Sequence, residues 1–162
     1  MRRRLILEAD GGSRGNPGPA AYGTVIRDAD TGELLFEEGA TLGIDTNNVA
    51  EYQGLVAGLR AASDINPEAE IEARLDSKLI VEQMSGRWKI KHENMRRLAL
   101  EAREAFPASQ VRYKWVPREQ NKAADALLNA ALDGIPTHRS SSDPLSASTS
   151  DDVSDSEPER PA

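Results

Sequence analysis

The sequence predicts an α/β protein with a five-stranded mixed sheet and helices on both faces. Three strand-like segments come first and are separated by turn-forming residues. Amphipathic helical segments then alternate with two further strand-like segments, which gives the element order β-β-β-α-β-α-α-β-α. Because a helical crossover joins parallel strands, we expect the two later strands to lie parallel to the first one.

The first three strands are predicted at residues 5–10, 22–27 and 33–42. Residues 28–32, with the sequence DADTG, have the composition of a hairpin loop and join the second strand to the third. The first third of the chain is therefore expected to form an antiparallel meander.

The hydrophobic period becomes helical from Val49 onward. Tyr52, Leu55 and Leu59 follow helical spacing, and the polar residues 45–48 before them favour a helix N-cap. Hydrophobic spacing likewise predicts strands at residues 71–76 and 111–116, and helices at residues 79–84, 95–106 and 121–132.

The C-terminal part of the chain differs from the rest in composition and charge. The 162 residues carry a net charge of −7, and residues 135–162 are rich in Ser, Asp and Pro, with six acidic and two basic side chains. Such a segment buries too little apolar area to offset its ordering entropy. We therefore expect one domain at residues 1–134, with a net charge of −3, and a disordered acidic tail or linker at residues 135–162.

Several classes of protein are excluded by composition. The chain has no cysteine, which rules out disulfides, zinc–thiolate sites and a cysteine nucleophile. No apolar run approaches the ~20 residues that span a membrane, and the run after Arg2–Arg4 is broken by Glu8 and Asp10 too early for a signal peptide. A soluble cytoplasmic protein is expected.

Four acidic residues occupy positions that folding alone does not favour. Asp10 and Asp76 end the first and fourth predicted strands, and ligands gather at the carboxyl ends of parallel strands. Glu51 borders the apolar face of the first helix, and Asp125 lies among Ala and Leu residues, where an unpaired carboxylate is costly. Each acid alone also has a structural explanation, such as solvation or, for Glu51, the helix dipole.

The sequence places no Lys or Arg at close spacing on the faces that carry these acids, so a cation from solution is indicated. Oxygen ligands without cysteine favour Mg²⁺ or Mn²⁺ over zinc. Two such ions ~3.5–4 Å apart can support phosphodiester hydrolysis. The glycine-rich stretch after Asp10 lets a substrate backbone approach closely, but it lacks the P-loop pattern.

Four segments together resemble the motifs of type 1 ribonuclease H. They are DGGSRGNPGPAAYG at 10–23, TNNVAEYQGLVAGL at 46–59, RLDSKLIVEQM at 74–84 and WVPREQNKAAD at 115–125. They are most similar to the bacterial and archaeal group without a basic insertion, and to the N-terminal domain of actinobacterial ribonuclease H–phosphatase fusions. The resemblance implies a ribonuclease H-like fold and, in a longer parent chain, a phosphatase domain beyond the tail.

The resemblance also implies an activity. The enzyme would be an endonuclease that hydrolyses the RNA strand of an RNA–DNA hybrid with two Mg²⁺ or Mn²⁺ ions, leaving 5′-phosphate and 3′-hydroxyl ends. Asp10 would bridge both ions, Asp125 would help to hold the ion on the side of the attacking water, and Glu51 and Asp76 would hold the other. Substrate contacts are expected from Gly11, Asn16, Thr46, Asn47, Asn48, Trp88, Lys89, Lys91, His92 and Arg118.

Two segments carry charged residues that could contact the substrate. Residues 86–97 carry a local charge of +4 around Trp88, which suits the DNA strand of a hybrid, although a charged run is commonly a solvated face. Many relatives have a His in the loop before the last Asp, where this chain has Arg118. Arg stays protonated and cannot act as a base, but it can hold a phosphate.

Three alternatives stay open from sequence. The chain could belong to another group of the superfamily, such as transposase-like or exonuclease domains, which lack the Asn47–Asn48 pair. It could bind hybrids without cleaving them, although all four acids are present. It could also cut duplex RNA. For residues 46–48, helix capping is compatible with substrate binding. A monomer is expected.

Overall fold

The computed structural model describes residues 3–141, which form six strands, four α-helices and two single-turn 3₁₀ helices. The strands are β1 Arg4–Ser13, β2 Gly18–Asp28, β3 Leu34–Asp45, β4 Glu70–Leu75, β5 Val111–Trp115 and β6 Thr137–Ser140. The α-helices are α1 Asn47–Ile65, α2 Lys78–Met84, α3 Glu93–Ala105 and α4 Lys122–Leu132. The 3₁₀ helices are Ala108–Gln110 and Arg118–Gln120. No helix within residues 3–141 is long and apolar enough to cross a membrane.

All six strands belong to one mixed sheet with the order β5-β4-β1-β2-β3-β6. β4 pairs in parallel with β1 and β5, whereas β2 pairs antiparallel with β1 and β3. This arrangement confirms the predicted mixed sheet, with an antiparallel meander followed by parallel strands.

Helices α1 and α4 cover opposite faces of the sheet. Leu7 of β1 contacts α1 beside Gly58, whereas Gly23, the partner of Asp10, lies directly under Ala124 of α4. Successive side chains of a strand point to opposite faces, so Leu7 and Asp10 lie on different sides of β1. The helices therefore cover both faces, as predicted, and Asp10 lies on the α4 side.

The two faces are packed differently. The α1 face holds the main core, where Leu5 and Leu7 meet Tyr52, Leu55 and Leu59, all at most 1% exposed. The α4 face holds a small cluster of mostly small side chains, Ala21, Leu128 and Ala131. A Cβ atom at Gly23 or Gly39 would overlap carbonyl oxygens of α4, so these glycines let the helix backbone rest on the sheet. The close approach brings the N-terminal turn of α4 near β1.

The prediction of five strands is wrong, because the sheet has a sixth. β6 pairs antiparallel with the edge of β3, and its Arg139 and His138 contact Glu37 and Glu38 at 2.9 and 3.1 Å. Residues 137–140, which belong to the segment predicted as a tail or linker, form this strand. The pairing partners lie about a hundred residues away, so local composition could not reveal them. Residues 142–162, the rest of the predicted tail, lie outside the described residues.

The position of Asp10 within β1 also differs from the prediction. Asp10 does not end the strand, because β1 continues to Ser13 and pairs with β2 along that length. What ends beside Asp10 is the neighbouring strand: the last parallel pair is Ala9 with Leu75. Asp10 and Asp76 therefore lie side by side where the parallel part of the sheet stops.

Candidate active site

Three of the predicted acids form one cluster. Asp10 on β1, Glu51 on α1 and Asp76 directly after β4 each place a carboxylate oxygen within 4.8 Å of the other two. Asp10 and Glu51 are buried, with 6% and 8% of their surface exposed, and Asp76 is half-buried. Three carboxylates from three separate elements thus meet at the end of the parallel strands.

Gly11 explains how Glu51 reaches this position. A Cβ atom at residue 11 would overlap the backbone of Ala50 and Glu51, so only glycine lets α1 lie this close to β1. The Gly11 N–H also donates a hydrogen bond of 2.9 Å to the Asp10 carboxylate. The sequence predicts that glycine after Asp10 admits a substrate backbone, whereas the backbone that approaches Gly11 is that of α1.

The electrostatics of the cluster show uncompensated negative charge. Burial, followed by the charge of Asp76, raises the pKa of Asp10 to about 7. Burial and the charges of Asp10 and Asp76 raise the pKa of Glu51 well above its ordinary value. Burial also raises the pKa of Asp76, although the Asn121 side chain and the Arg118 guanidinium oppose that shift. Repulsion among these carboxylates therefore favours the binding of protons or cations at the site.

The donor set fits a hard divalent metal ion. Glu51 Oε1 and Asp76 Oδ2 are buried and accept no hydrogen bond from any described residue. Buried carboxylate oxygens are normally paired, and an unpaired one is expensive. Oxygen ligands at this spacing, without His or Cys, are those that Mg²⁺ and Mn²⁺ prefer.

Asp125, the fourth predicted acid, lies beside the cluster but is not part of it. It belongs to the first turn of α4 and lines a depression of about 360 Å³ together with Asp10, Glu51 and Arg118. Its charge contributes to the raised pKa values of Asp10 and Asp76. Asn129 Nδ2 donates a 3.2 Å hydrogen bond to Asp125 Oδ1. Asp125 thus acts electrostatically on Asp10 and Asp76 of the cluster.

Two residues that the sequence did not single out hold the cluster in place. Asn121, which is fully buried, donates from Nδ2 to the carbonyl oxygen of Ala9 at 2.9 Å and ties the start of α4 to β1. The Trp115 indole donates to the carbonyl oxygen of Asp76 at 3.2 Å. Asn121 precedes α4 without capping it through its side chain. Asn before a helix commonly accepts a hydrogen bond from the first turn, and only the structure shows that this side chain bonds to β1 instead.

The chain is similar in sequence and in fold to known ribonucleases H. A family profile described as "Reverse transcriptase-like" matches residues 8–131. The bifunctional protein Rv2228c of Mycobacterium tuberculosis is 50% identical over 131 residues, and its solved N-terminal RNase H domain superposes with a TM-score of 0.76, covering 82% of this chain and 95% of that domain. RNase H1 of Halobacterium salinarum is 43% identical with a TM-score of 0.74, over 83% of this chain and 99% of that one. The chain belongs to the type 1 ribonuclease H family.

A third ribonuclease H gives information about ligands in the family. LC11-RNase H1, solved in complex with an RNA/DNA hybrid, is 39% identical with a TM-score of 0.72 over 80% of this chain and 97% of that one. This chain matches 36% of the length of Rv2228c, so it corresponds to one part of a larger relative.

Four of the predicted ribonuclease H substrate contacts meet in a second depression of about 280 Å³. Asn16, Thr46, Asn48 and His92 line it together. Thr46 also caps α1, since its hydroxyl accepts from Val49 N–H at 3.3 Å, which confirms the capping alternative for this residue.

Asn47 and Asn16 connect the two depressions. Asn47 lines the acidic depression, and its Oδ1 accepts hydrogen bonds of 2.8 and 2.9 Å from the backbone and hydroxyl of Ser13. The Asn47 N–H in turn donates to Asn16 Oδ1 at 3.0 Å. The β1–β2 loop is thereby fixed to the start of α1.

The positive patch predicted at residues 86–97 is partly neutralised by ion pairs. Three of its five cations form ion pairs, Arg87 with Glu82, Arg96 with Glu93 and Arg97 with Glu101, and two of those acids lie outside the segment. Lys89 and Lys91 form no ion pair within residues 3–141, and Trp88 is 47% exposed. These three residues do not line either depression. Arg118, by contrast, lines the acidic depression together with Asp10, Glu51 and Asp125.

Proposed function

We propose that this chain is a ribonuclease H that hydrolyses the RNA strand of RNA–DNA hybrids with two Mg²⁺ or Mn²⁺ ions. The cluster of Asp10, Glu51 and Asp76, with its two unpaired buried oxygens, carries the proposal. Membership of the ribonuclease H family and a related enzyme solved with an RNA/DNA hybrid support the choice of substrate.

Divalent ions, when bound, would polarise the scissile phosphate and lower the pKa of an attacking water. Asp10 is the carboxylate best suited to contact both ions, because it clusters with Glu51 and Asp76 and also interacts with Asp125. Glu51 and Asp76 would complete the site on the leaving-group side, and Asp125 would do so on the side of the water. The expected products carry 5′-phosphate and 3′-hydroxyl ends.

Arg118 has a different part in this scheme. Its guanidinium lines the acidic depression and stays protonated, so it can hold a phosphate oxygen but cannot accept a proton. We propose that Arg118 contacts the scissile or product phosphate, in the place where many relatives have His.

Recognition of the hybrid would rest on polar groups rather than on base edges. The depression lined by Asn16, Thr46, Asn48 and His92 offers amide, hydroxyl and imidazole groups, which suit phosphate and 2′-hydroxyl contacts. Lys89 and Lys91, which form no ion pair with any described residue, would contact phosphates of the DNA strand, with Trp88 packing against sugar.

A gel assay on labelled RNA–DNA, RNA–RNA and DNA–DNA duplexes tests the proposal. Cleavage of the RNA in the hybrid with Mg²⁺ or Mn²⁺ is expected, with none in a chelator and none by Asp10→Asn. Asp64→Asn, which removes an exposed carboxylate at the far end of α1, is the matched control and should cleave normally.

Other outcomes would assign other functions. A folded wild-type protein that binds the hybrid but never cuts it would be a binding module. Cleavage of RNA–RNA would widen the substrate range.

Three further expectations stay predictions: a monomer, a cytoplasmic location and a phosphatase domain in a longer parent chain. The name "bifunctional" of the mycobacterial relative and the 36% of its length that this chain matches are in keeping with a further domain. Light scattering would test the oligomeric state.

A further inference from the structure

A buried amide connects the helix that carries Glu51 to the segment that carries Lys89 and Lys91. Gln83 of α2 is only 4% exposed, although it is polar. Its Oε1 accepts a hydrogen bond of 2.7 Å from the Tyr52 hydroxyl, and its Nε2 donates to the carbonyl oxygen of Lys89 at 3.3 Å. One side chain therefore joins α1 to the chain between α2 and α3.

Both ends of this connection lie next to residues of the proposed site. Tyr52 follows Glu51 directly in α1 and is fully buried. Lys89 lies in the middle of residues 85–92, which form no helix or strand, and Lys91 follows two residues later. Residues 85–88 donate backbone hydrogen bonds to the end of α2, whereas residues 89–91 form no backbone–backbone hydrogen bond with any described residue. The position of residues 89–91 therefore depends on side-chain contacts like the one from Gln83.

We infer that Gln83 is a positioning residue, which sets the affinity for the hybrid by holding Lys89 and Lys91 at a defined distance from the catalytic acids. This inference rests on the proposed function. Gln83 contacts neither the acids nor the lysine ammonium groups. Its effect should therefore appear in substrate binding and not in the chemical step.

The chemistry of the two contacts explains why the residue is Gln. Burial raises the pKa of Tyr52 to about 12, so its hydroxyl stays a donor and requires an acceptor. The Lys89 carbonyl requires a donor. An amide supplies both, whereas a carboxylate lacks the donor and an apolar side chain lacks both. Among the described residues, the other hydrogen bond to residues 89–91 runs from Arg96 Nη2 to the Ile90 carbonyl oxygen at 3.3 Å. It is exposed to solvent and therefore constrains these residues less.

Gln83→Met tests the inference, with Gln110→Met as the matched control. Gln110 also ties down backbone, through hydrogen bonds from Nε2 to the carbonyl oxygens of Pro67 and Ala69, but at the start of β5, the opposite end of the sheet from the acids. Steady-state cleavage of a hybrid should show KM raised about five- to tenfold in Gln83→Met with kcat within about twofold, as expected for two weakened phosphate contacts. Gln110→Met should leave both constants unchanged.

The salt dependence of KM tests whether Gln83→Met acts through Lys89 and Lys91. Loss of two phosphate contacts should flatten the plot of log KM against log salt by up to about two units of slope in Gln83→Met. In a Lys89→Ala/Lys91→Ala background, Gln83→Met should change KM by less than about twofold, because the contacts it supports are already gone. The inference would be overturned if Gln83→Met lowered kcat at constant KM or left the salt slope unchanged. It would also be overturned if Gln83→Met raised KM as much in the Lys89→Ala/Lys91→Ala background as in the wild type.

Tyr52→Phe covers the case in which Gln83→Met does not fold. Tyr52→Phe removes only the hydrogen bond from the Tyr52 hydroxyl to Gln83. It should raise KM less than Gln83→Met does, again without lowering kcat. A folded Tyr52→Phe protein with wild-type KM and salt slope would contradict the inference. If the wild type binds the hybrid without cleaving it, the proposed function fails, and the same comparisons are made on Kd by fluorescence anisotropy.

Discussion

Replacing Asp10 by Asn should stabilise the protein at pH 8 in a chelator. The pKa of Asp10 is about 7, roughly three units above its ordinary value, so between pH ~4 and 7 the folded state binds more protons than the unfolded state. Stability therefore falls as pH rises through this window. At about 1.4 kcal/mol per unit, the charged Asp10 lowers the free energy of unfolding by up to about 4 kcal/mol.

The neutral amide removes that penalty and keeps the local hydrogen bond. Asn at residue 10 can still accept from the Gly11 N–H and adds a donor toward Glu51. We expect a gain of about 2–4 kcal/mol in the free energy of unfolding at pH 8, shrinking toward zero near pH 4.5, where the wild-type carboxyl is already protonated. Urea unfolding followed by circular dichroism measures both values.

Asp28→Asn is the control with the opposite sign. Hydrogen bonds from the Thr31 N–H and the Arg3 guanidinium lower the pKa of Asp28, so its charge stabilises the fold above the ordinary pKa. Asp28→Asn should therefore destabilise the protein at pH 8. Adding Mg²⁺ or Mn²⁺ should raise the stability of wild type and of Asp28→Asn, but not that of Asp10→Asn. If Asp10→Asn is no more stable than wild type in chelator at pH 8, the charge repulsion inferred for the cluster is refuted.

Two further predictions concern packing. Gly11→Ala should lower the free energy of unfolding by about 3 kcal/mol, because its Cβ overlaps α1, whereas Gly12→Ala, whose Cβ meets only atoms at 3.8 and 3.9 Å, should change it by less than about 1 kcal/mol. Urea unfolding of both variants decides this, and equal effects would contradict the role assigned to Gly11. Removing residues 142–162 should leave the rate of hybrid cleavage within a few-fold of the full chain. Removing residues 137–162 should lower the melting temperature relative to that shorter truncation, because β6 and its ion pairs with Glu37 and Glu38 are lost. A large loss from the shorter truncation would give those residues a role in folding or binding.

Much of the fold could be predicted from local sequence. The nine predicted elements all exist in the predicted order, because hydrophobic period, turn residues and caps are local signals. β6 was missed because its sequence, THRS, has little strand character of its own. It is stabilised by the free edge of β3 and by acids about a hundred residues earlier.

The acids were predictable for a different reason. A carboxylate among apolar residues is visible in the sequence as a costly placement, and the motifs around Asp10, Glu51, Asp76 and Asp125 have distinctive composition. The supporting residues carry no such sign. Asn121 was predicted only as the first residue of the last helix, and Gln83 only as a polar residue of the short helix 79–84, whereas the structure buries both side chains in hydrogen bonds.

The sequence by itself determined nine secondary-structure elements, the family and the identity of the acidic residues, because each depends on neighbouring residues or on a motif. Only the tertiary structure decided that Asp10 lies beside the end of β4, that Gly11 admits a helix, and that most cations of residues 86–97 are already paired. Those outcomes depend on which distant groups come into contact. Hydrogen bonds, ion pairs and excluded volume act over a few ångströms in space, whatever the separation along the chain.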